Sequence, residues 1–193
     1  MDKESVELIC IECESKKNVK TANGIPICAR CIYESEKKYK EFEKYRNLSP
    51  NISEIIEGKL YLGNDDQAQF KDDLLKYKIT HILVCGSELD KHFPKDFTYE
   101  HFKIEDLTEQ DLKPYFKKAI NFIENGACVY VHCRAGVSRS PSFVIAYIMF
   151  KNKIGFEEAF QLVKKKRNQI NPNQGFQSNL RELEVILKNE KQF

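Results

Sequence analysis

The stretch ACVYVHCRAGVSRSPSFVIAYIMF, residues 127–150, joins two apolar segments through a short polar one. Residues 127–133 are nearly all apolar, which is typical of a parallel strand buried on both faces of a sheet. Ser140 and Pro141 suit the N-cap and the first position of a helix, which the second apolar segment continues. The stretch therefore predicts a strand, a short loop and a helix, with Cys133 at the end of the strand.

Outside this stretch, short segments rich in β-branched and aromatic residues alternate with helical patterns. The predicted strands are 59–63, 80–86, 99–106 and 127–133. The predicted helices are 65–77, 111–125, 140–152, 156–169 and 174–188. This alternation predicts an α/β fold, in which a twisted, mostly parallel central sheet carries helices on both faces.

Cys133 lies where ligands are expected, because open α/β sheets bind them at the carboxyl ends of strands. Gly136 permits a tight backbone turn in the loop that follows. That loop and the helix N-terminus direct N–H groups and a positive dipole at one point, which favours a thiolate over a neutral thiol. Arg139 can bind two oxygens of a tetrahedral anion through its planar guanidinium. Together these groups indicate phosphoryl transfer to cysteine; the alternative is an inert buried thiol.

The segment HCRAGVSRS, residues 132–140, fits the His-Cys-x5-Arg-Ser signature of the cysteine-based protein tyrosine phosphatases. It resembles the dual-specificity branch of that superfamily most. The resemblance covers about residues 52–187, through ISEIIEGKLYLGNDDQA at 52–68 and INPNQGFQSNL at 170–180. Asn179 departs from the pattern, because the family leads us to expect glutamine there.

The resemblance implies a role for each residue of the signature. Cys133 attacks phosphorus, Ser140 hydrogen-bonds the thiolate and assists its departure, and His132 orients the loop from a supporting position. The phosphoryl oxygens are held by the backbone amides and the arginine of the loop, at Arg134, Ala135, Gly136, Val137, Ser138 and Arg139. The resemblance also implies a catalytic reaction that needs no metal or organic cofactor.

A carboxylic acid must protonate the leaving oxygen, because an alkoxide or phenoxide leaves poorly without a proton. The resemblance places an aspartate in the loop after the strand that precedes the catalytic one, and Asp106 in FKIEDLTEQD matches. Asp111 in the same segment is better interpreted as a helix cap. Glu105 and Glu109 are interpreted as solvated carboxylates.

Four of the seven cysteines form two Cys-x2-Cys pairs near the N-terminus. They are Cys10, Cys13, Cys28 and Cys31. Two such pairs supply the four thiolates of a tetrahedral structural Zn²⁺ site, and Gly24 and Pro26 offer a turn that returns the second pair to the first. The alternatives are a redox dithiol and reduced loop cysteines. We predict a zinc-knuckle module at residues 1–33.

The rest of the chain divides into two further parts. Residues 34–50 carry Tyr39, Phe42 and Tyr45 at helical spacing among charges, which predicts a helical linker. Residues 51–190 form the predicted catalytic domain. Cys85 and Cys128, within its strands, are interpreted as buried packing residues.

Charge and hydropathy give no sign of a membrane or nucleic-acid partner. The net charge is +2, with 31 basic and 29 acidic side chains. The longest apolar run, 143–150, is too short to span a bilayer, and no basic and apolar leader opens the sequence. The basic run KKKR, 164–167, is interpreted as a solvated face, with attraction of acidic substrates as the alternative. We expect a cytoplasmic location, with the nucleus as a second one.

These observations predict a dual-specificity protein phosphatase that hydrolyses phosphotyrosine, phosphoserine and phosphothreonine through a cysteinyl-phosphate intermediate. Its expected partners are a phosphorylated protein substrate and a protein that binds the zinc module. One alternative is a phosphate-binding module without turnover. Another is a phosphatase for a non-protein substrate: a phosphoinositide, an RNA 5′ phosphate or a phosphoglycan.

Overall fold

The computed structural model describes residues 19–22, 25–28 and 52–189. The chain divides into two compact units, Met1–Pro50 and Asn51–Phe193. In the first unit, strand β1 (Val19–Ala22) pairs with the antiparallel strand β2 (Ile25–Cys28).

The antiparallel hairpin of the first unit bears on the predicted zinc module. Pro26 lies within β2, opposite Thr21, so the prediction that it belongs to the turn was wrong. Cys28 is the last residue of β2. The other three proposed ligands, Cys10, Cys13 and Cys31, and the predicted linker 34–50 lie outside the described residues. The zinc module and its boundaries therefore stay predictions.

The second unit contains five strands and six helices within residues 52–189. The strands are β3 (Ser53–Ile56), β4 (Leu60–Asn64), β5 (His81–Cys85), β6 (Thr98–Phe102) and β7 (Val129–Cys133). The helices are α1 (Asp65–Ala68), α2 (Lys71–Lys76), α3 (Lys113–Asn125), α4 (Arg139–Asn152), α5 (Phe156–Lys166) and α6 (Gln174–Lys188). None of these helices is both long enough and apolar enough to cross a bilayer.

The five strands form one mixed sheet in the order β3-β4-β7-β5-β6. All neighbours are parallel except the edge strand β3, which runs antiparallel to β4. The predicted mostly parallel sheet is therefore confirmed, whereas β3 was not predicted as a strand. The central position of β7 explains its apolar sequence, because a strand between two neighbours and two helical layers is buried throughout.

The side chains of β7 alternate between two cores, as the twofold period of a strand requires. Val129, Val131 and Cys133 belong to the core that α3, α4, α5 and α6 complete. Tyr130 belongs to the smaller core under α1 and α2, and His132 stacks on its ring. Helices on both faces of the sheet are thus confirmed, and Cys133 points toward the layer that contains α4.

Helix boundaries differ from the sequence prediction in four of the five predicted helices. Helix α3 begins at Lys113, two residues later than predicted. The predicted helix 65–77 is two short helices, because Phe70 has the non-helical angles φ −102° and ψ 88°. Helix α4 begins at Arg139, one residue earlier than predicted, so Ser140 is not its N-cap. The predicted helix 156–169 ends at Lys166, where Arg167 adopts an extended conformation. Helix α6 has the predicted bounds.

Candidate active site

Cys133 ends β7, and its thiol is the centre of the following loop. The Sγ atom accepts hydrogen bonds from the Gly136 N–H at 3.3 Å and from the Ser140 hydroxyl at 3.1 Å. The Ser140 hydroxyl therefore hydrogen-bonds the thiol and does not cap the helix. Gly136 has φ +66°, and a Cβ there would meet the carbonyl oxygen of Gly63 at 2.4 Å. Only glycine fits this position.

The carbonyl oxygens of the loop, residues 134–138, bond outward to donors from surrounding segments. They are Arg134 O with Asp65 N, Gly136 O with Arg167 Nε, Val137 O with Asn171 N, and Ser138 O with Ser142 N and Oγ, at 2.7 to 3.3 Å. Because a carbonyl and the N–H of the same peptide group point in opposite directions, the amides of the loop face inward. The loop is thus arranged as an anion site at the N-terminus of α4.

Arg139 is 6% exposed and extends its guanidinium between two carboxylates. Its Nη1 lies 2.7 and 2.8 Å from the two oxygens of Glu88, and its Nε lies 3.8 Å from Asp106 Oδ2. Burial is the largest single influence on Arg139 and lowers its pKa, but the hydrogen bond to Glu88 and the negative charges of Cys133, Glu88 and Asp106 together outweigh burial and raise the pKa above its usual value. The arginine is therefore held in place and charged.

Asp106 lies in the loop between β6 and α3, beside the thiol-bearing loop. Its Oδ1 accepts hydrogen bonds from the Ser138 hydroxyl at 2.6 Å and from Asn173 Nδ2 at 2.9 Å. The structure therefore places the carboxyl group of the predicted acid beside the Arg139 guanidinium. Glu105 and Glu109 are exposed, as predicted. Their hydrogen bonds are local: the Glu105 N–H bonds to Gln110, and the Glu109 carboxylate bonds to Thr108.

Asp111 and Asn179 support α3, the helix that follows the loop between β6 and α3, which we call the acid loop. The Asp111 carboxylate accepts the Lys113 N–H at 3.0 Å from the residue before the N-cap position, which Leu112 occupies without a side-chain hydrogen bond. Asp111 therefore supports the first turn but is not the N-cap itself. Asn179 Oδ1 accepts the Leu112 N–H at 2.7 Å, so the residue that departs from the family pattern makes a polar contact. Both contacts fix the start of α3.

His132 is fully buried behind the loop. Its ring stacks on Tyr130 with centroids 5.5 Å apart, and its Nδ1 lies 3.7 Å from Asp65 Oδ1. The same carboxylate oxygen lies 2.9 Å from His92 Nε2. Burial lowers the pKa of His132 to about 4, so the ring is neutral at neutral pH.

The sequence profile of the dual-specificity phosphatase catalytic domain matches residues 60–186. The chain belongs to this family. It is 36% identical over 182 residues to dual specificity protein phosphatase 1 of Arabidopsis thaliana, which covers 92% of this chain and 87% of that protein. It is 39% identical over 150 residues to dual specificity protein phosphatase 22-A of Danio rerio, covering 75% of this chain and 71% of that one.

The solved structure of DUSP15 resembles this phosphatase with a TM-score of 0.64 and 34% identity, over 72% of this chain and 96% of that chain. The human DUSP28 structure has a TM-score of 0.67 at 24% identity and supports the fold alone. The profile and the relatives together show that the chain is a protein phosphatase of the dual-specificity class, with the α/β fold of that class.

Sequence reasoning missed several side chains around the loop of this phosphatase. They are Asp65, Glu88, His92, Arg167 and Asn173. Arg167 is 4% exposed, so the interpretation of the whole run 164–167 as a solvated face was wrong at its last residue. Asn173 alone left a local signal, because an asparagine directly before a helical pattern is a typical N-cap.

The two other cysteines of the described domain are buried, as predicted. Cys85 is 0% and Cys128 is 5% exposed. Burial raises the pKa of both thiols, which keeps them protonated and unreactive at neutral pH.

The buried neutral ring of His132 predicts a loss of stability in mild acid. The pKa of His132 is about 4 in the folded state and 6.5 in its ordinary state. Above pH 6.5 both states are neutral; as the pH falls below 6.5, the unfolded chain binds the proton first. We therefore expect the free energy of unfolding to fall by about 2 to 3 kcal/mol from this group between pH 7.5 and 4.5.

Urea denaturation of the wild type and of His132→Gln at pH 4.5, 5.5, 6.5 and 7.5 measures this contribution. The variant should lose less stability on acidification than the wild type, whatever its stability at pH 7.5. Parallel curves for the two proteins would contradict the neutral buried ring.

Proposed function

We propose that this phosphatase hydrolyses phosphotyrosine and phosphoserine or phosphothreonine in proteins through a cysteinyl-phosphate on Cys133, without a metal in the reaction. The observation that carries the proposal is the environment of Sγ, which receives an amide and a hydroxyl hydrogen bond at the centre of an anion-binding loop. The names of the relatives, dual specificity protein phosphatases, support acceptance of both classes of phosphorylated residue.

The first step transfers the phosphoryl group to sulfur. The inward amides of 134–139 and the Arg139 guanidinium hold the phosphoryl oxygens, which places phosphorus next to Sγ. Glu88 occupies Nη1 of Arg139, whereas Asp106, the proposed acid, lies beside Nε. The edge of the guanidinium formed by Nε and Nη2 is therefore the one that faces the substrate. The thiolate forms the S–P bond, the P–O ester bond breaks, and Asp106 gives its proton to the leaving oxygen.

The second step hydrolyses the cysteinyl-phosphate. Water attacks phosphorus while Asp106, now a carboxylate, accepts its proton. The S–P bond breaks, and the hydrogen bond from Ser140 at 3.1 Å stabilises the thiolate that leaves. His132 supports the loop from behind as a neutral ring and takes no part in proton transfer.

We propose further that Cys10, Cys13, Cys28 and Cys31 bind a structural Zn²⁺ and that this module recruits a protein partner. The β1–β2 hairpin supports the zinc site, because its pairing sets Cys28 opposite Val19, six residues after Cys13. A chain reversal between the two Cys-x2-Cys pairs is what a four-thiolate site requires. Reduced thiols fit the cytoplasm or nucleus, where we place the protein.

Hydrolysis of an aryl phosphate between pH 5 and 8 in excess EDTA tests the nucleophile. We expect turnover by the wild type to persist in chelator and to fall by about 10³-fold or more in Cys133→Ser. Cys128→Ser, a buried cysteine on the opposite face of the sheet, is the matched control and should retain turnover.

Two outcomes would redirect the proposal. Absence of turnover by folded, reduced protein would favour a phosphate-binding module. Hydrolysis of phosphoinositides, RNA 5′ phosphates or phosphoglycans but not of phosphopeptides would favour a non-protein substrate.

A series of aryl phosphates with leaving groups of increasing basicity tests the acid. Asp106→Asn should lose little turnover on the best leaving group and roughly 10² to 10⁴-fold on the poorest, because only poor leaving groups need the proton. An equal loss on every ester would exclude Asp106 from the acid role.

Metal analysis of the purified full chain tests the zinc site. We expect about one Zn²⁺ per chain, and replacement of Cys10 and Cys28 together by serine should remove it, because two ligands do not retain the metal. Catalysis of aryl phosphate hydrolysis should survive, since the reaction uses no metal. Zinc content unchanged in the double variant would rule out this ligand set.

A further inference from the structure

Asn173 connects three parts of the active site. It is the N-cap of α6, where its Oδ1 accepts the Phe176 N–H at 3.0 Å. Its Nδ2 donates to Asp106 Oδ1 at 2.9 Å, and its backbone N–H donates to the Ser138 hydroxyl oxygen at 3.1 Å. The Ser138 hydroxyl in turn donates to Asp106 Oδ1 at 2.6 Å. One residue thus ties the acid to a helix through its side chain and to the phosphate-binding loop through its backbone N–H.

The Ser138 hydroxyl and Asn173 Nδ2 both donate to the same oxygen of Asp106, Oδ1. An oxygen that already accepts two hydrogen bonds is a poor place for a proton, because the O–H would then face those donors. The proton of the acid therefore belongs on Oδ2. Oδ2 is the oxygen that lies 3.8 Å from Arg139 Nε. In the proposed first step, this edge of the guanidinium binds the phosphoryl group.

The backbone of the acid loop rests on the same end of α6. A Cβ at Gly175 would lie 1.8 Å from the carbonyl oxygen of Thr108, so the two backbones are in direct contact. Helix α6 is 15 residues long and packs into the main core through Phe176, Leu180 and Leu183. The acid loop therefore has a rigid support, and Asn173 links that support to the carboxyl group itself.

We propose that Asn173 is a positioning residue for proton transfer: with Ser138 it fixes the Asp106 carboxyl so that Oδ2 carries the proton toward the leaving oxygen. The inference rests on the proposed role of Asp106 as the acid. The capping function of Asn173 uses Oδ1, whereas its effect on catalysis uses Nδ2.

Substitutions that keep the cap and remove the amide donor test this inference. Asn173→Ser and Asn173→Asp both retain an oxygen that caps helices well. We expect each to lower kcat roughly 10 to 100-fold on aryl phosphates with poor leaving groups and little on those with good ones, because a misplaced acid matters only where the proton is needed. In Asn173→Asp, the added negative charge should also move the alkaline limb of the kcat/KM profile to higher pH.

Asn64→Ser is the matched control. Asn64 caps α1 through the same kind of bond, from the Gln67 N–H to its Oδ1 at 3.1 Å. Its substitution should leave the dependence on the leaving group as in the wild type. Urea midpoints for all variants establish that each is folded under the assay conditions.

Asp106→Asn and the double variant Asp106→Asn with Asn173→Ser complete the experiment. Without the acid, loss of Asn173 should cause no further loss on poor leaving groups, because the two residues act as one unit. If Asp106→Asn affects leaving groups as expected and the Asn173 variants behave as wild type, the positioning role is wrong and the proposed acid stands. If Asp106→Asn has no such effect, both assignments fail.

Discussion

The loop between β7 and α4 can offer its N–H groups to an anion only if its carbonyl oxygens find donors elsewhere. A buried carbonyl without a partner costs about 1 to 3 kcal/mol, and a loop with several of them would not keep this shape. The donors come from α1, from the segment after α5 and from α4 itself. Much of the domain is thus organised around one turn, and helices on both faces of the sheet are needed to supply these groups.

The charges around the loop follow from the same requirement. Two buried guanidinium groups, those of Arg139 and Arg167, lie beside a loop whose amides already attract anions. Glu88 and Asp106 offset the charge of Arg139 before any ligand is present, which limits the cost of keeping it buried. His132 is kept neutral by burial, so the region does not accumulate a third positive charge. The loop thus directs its amide N–H groups at one point without a large excess of buried charge.

The sequence predicted four of the five strands of the sheet, most helix bounds and the loop of the signature, because these depend on local periodicity and on a short motif. The same reasoning gave Ser140 a capping role that the structure does not support, since the helix begins one residue earlier and the hydroxyl turns to sulfur. Glu88 and Arg167 could not be predicted. Each reaches the loop from a distant part of the chain, and one carboxylate or one arginine in a polar segment carries no local sign of its partner.

The start of α4 has a consequence for how ligand and protein depend on each other. Ser138 occupies the N-cap position but commits its hydroxyl to Asp106, so the first turn does not receive the side-chain oxygen that usually completes a helix. The oxygens of a phosphoryl group can take that place. A bound phosphoryl group would then be the missing end of the helix that passes through the centre of the domain, and part of its binding free energy would appear as folding free energy.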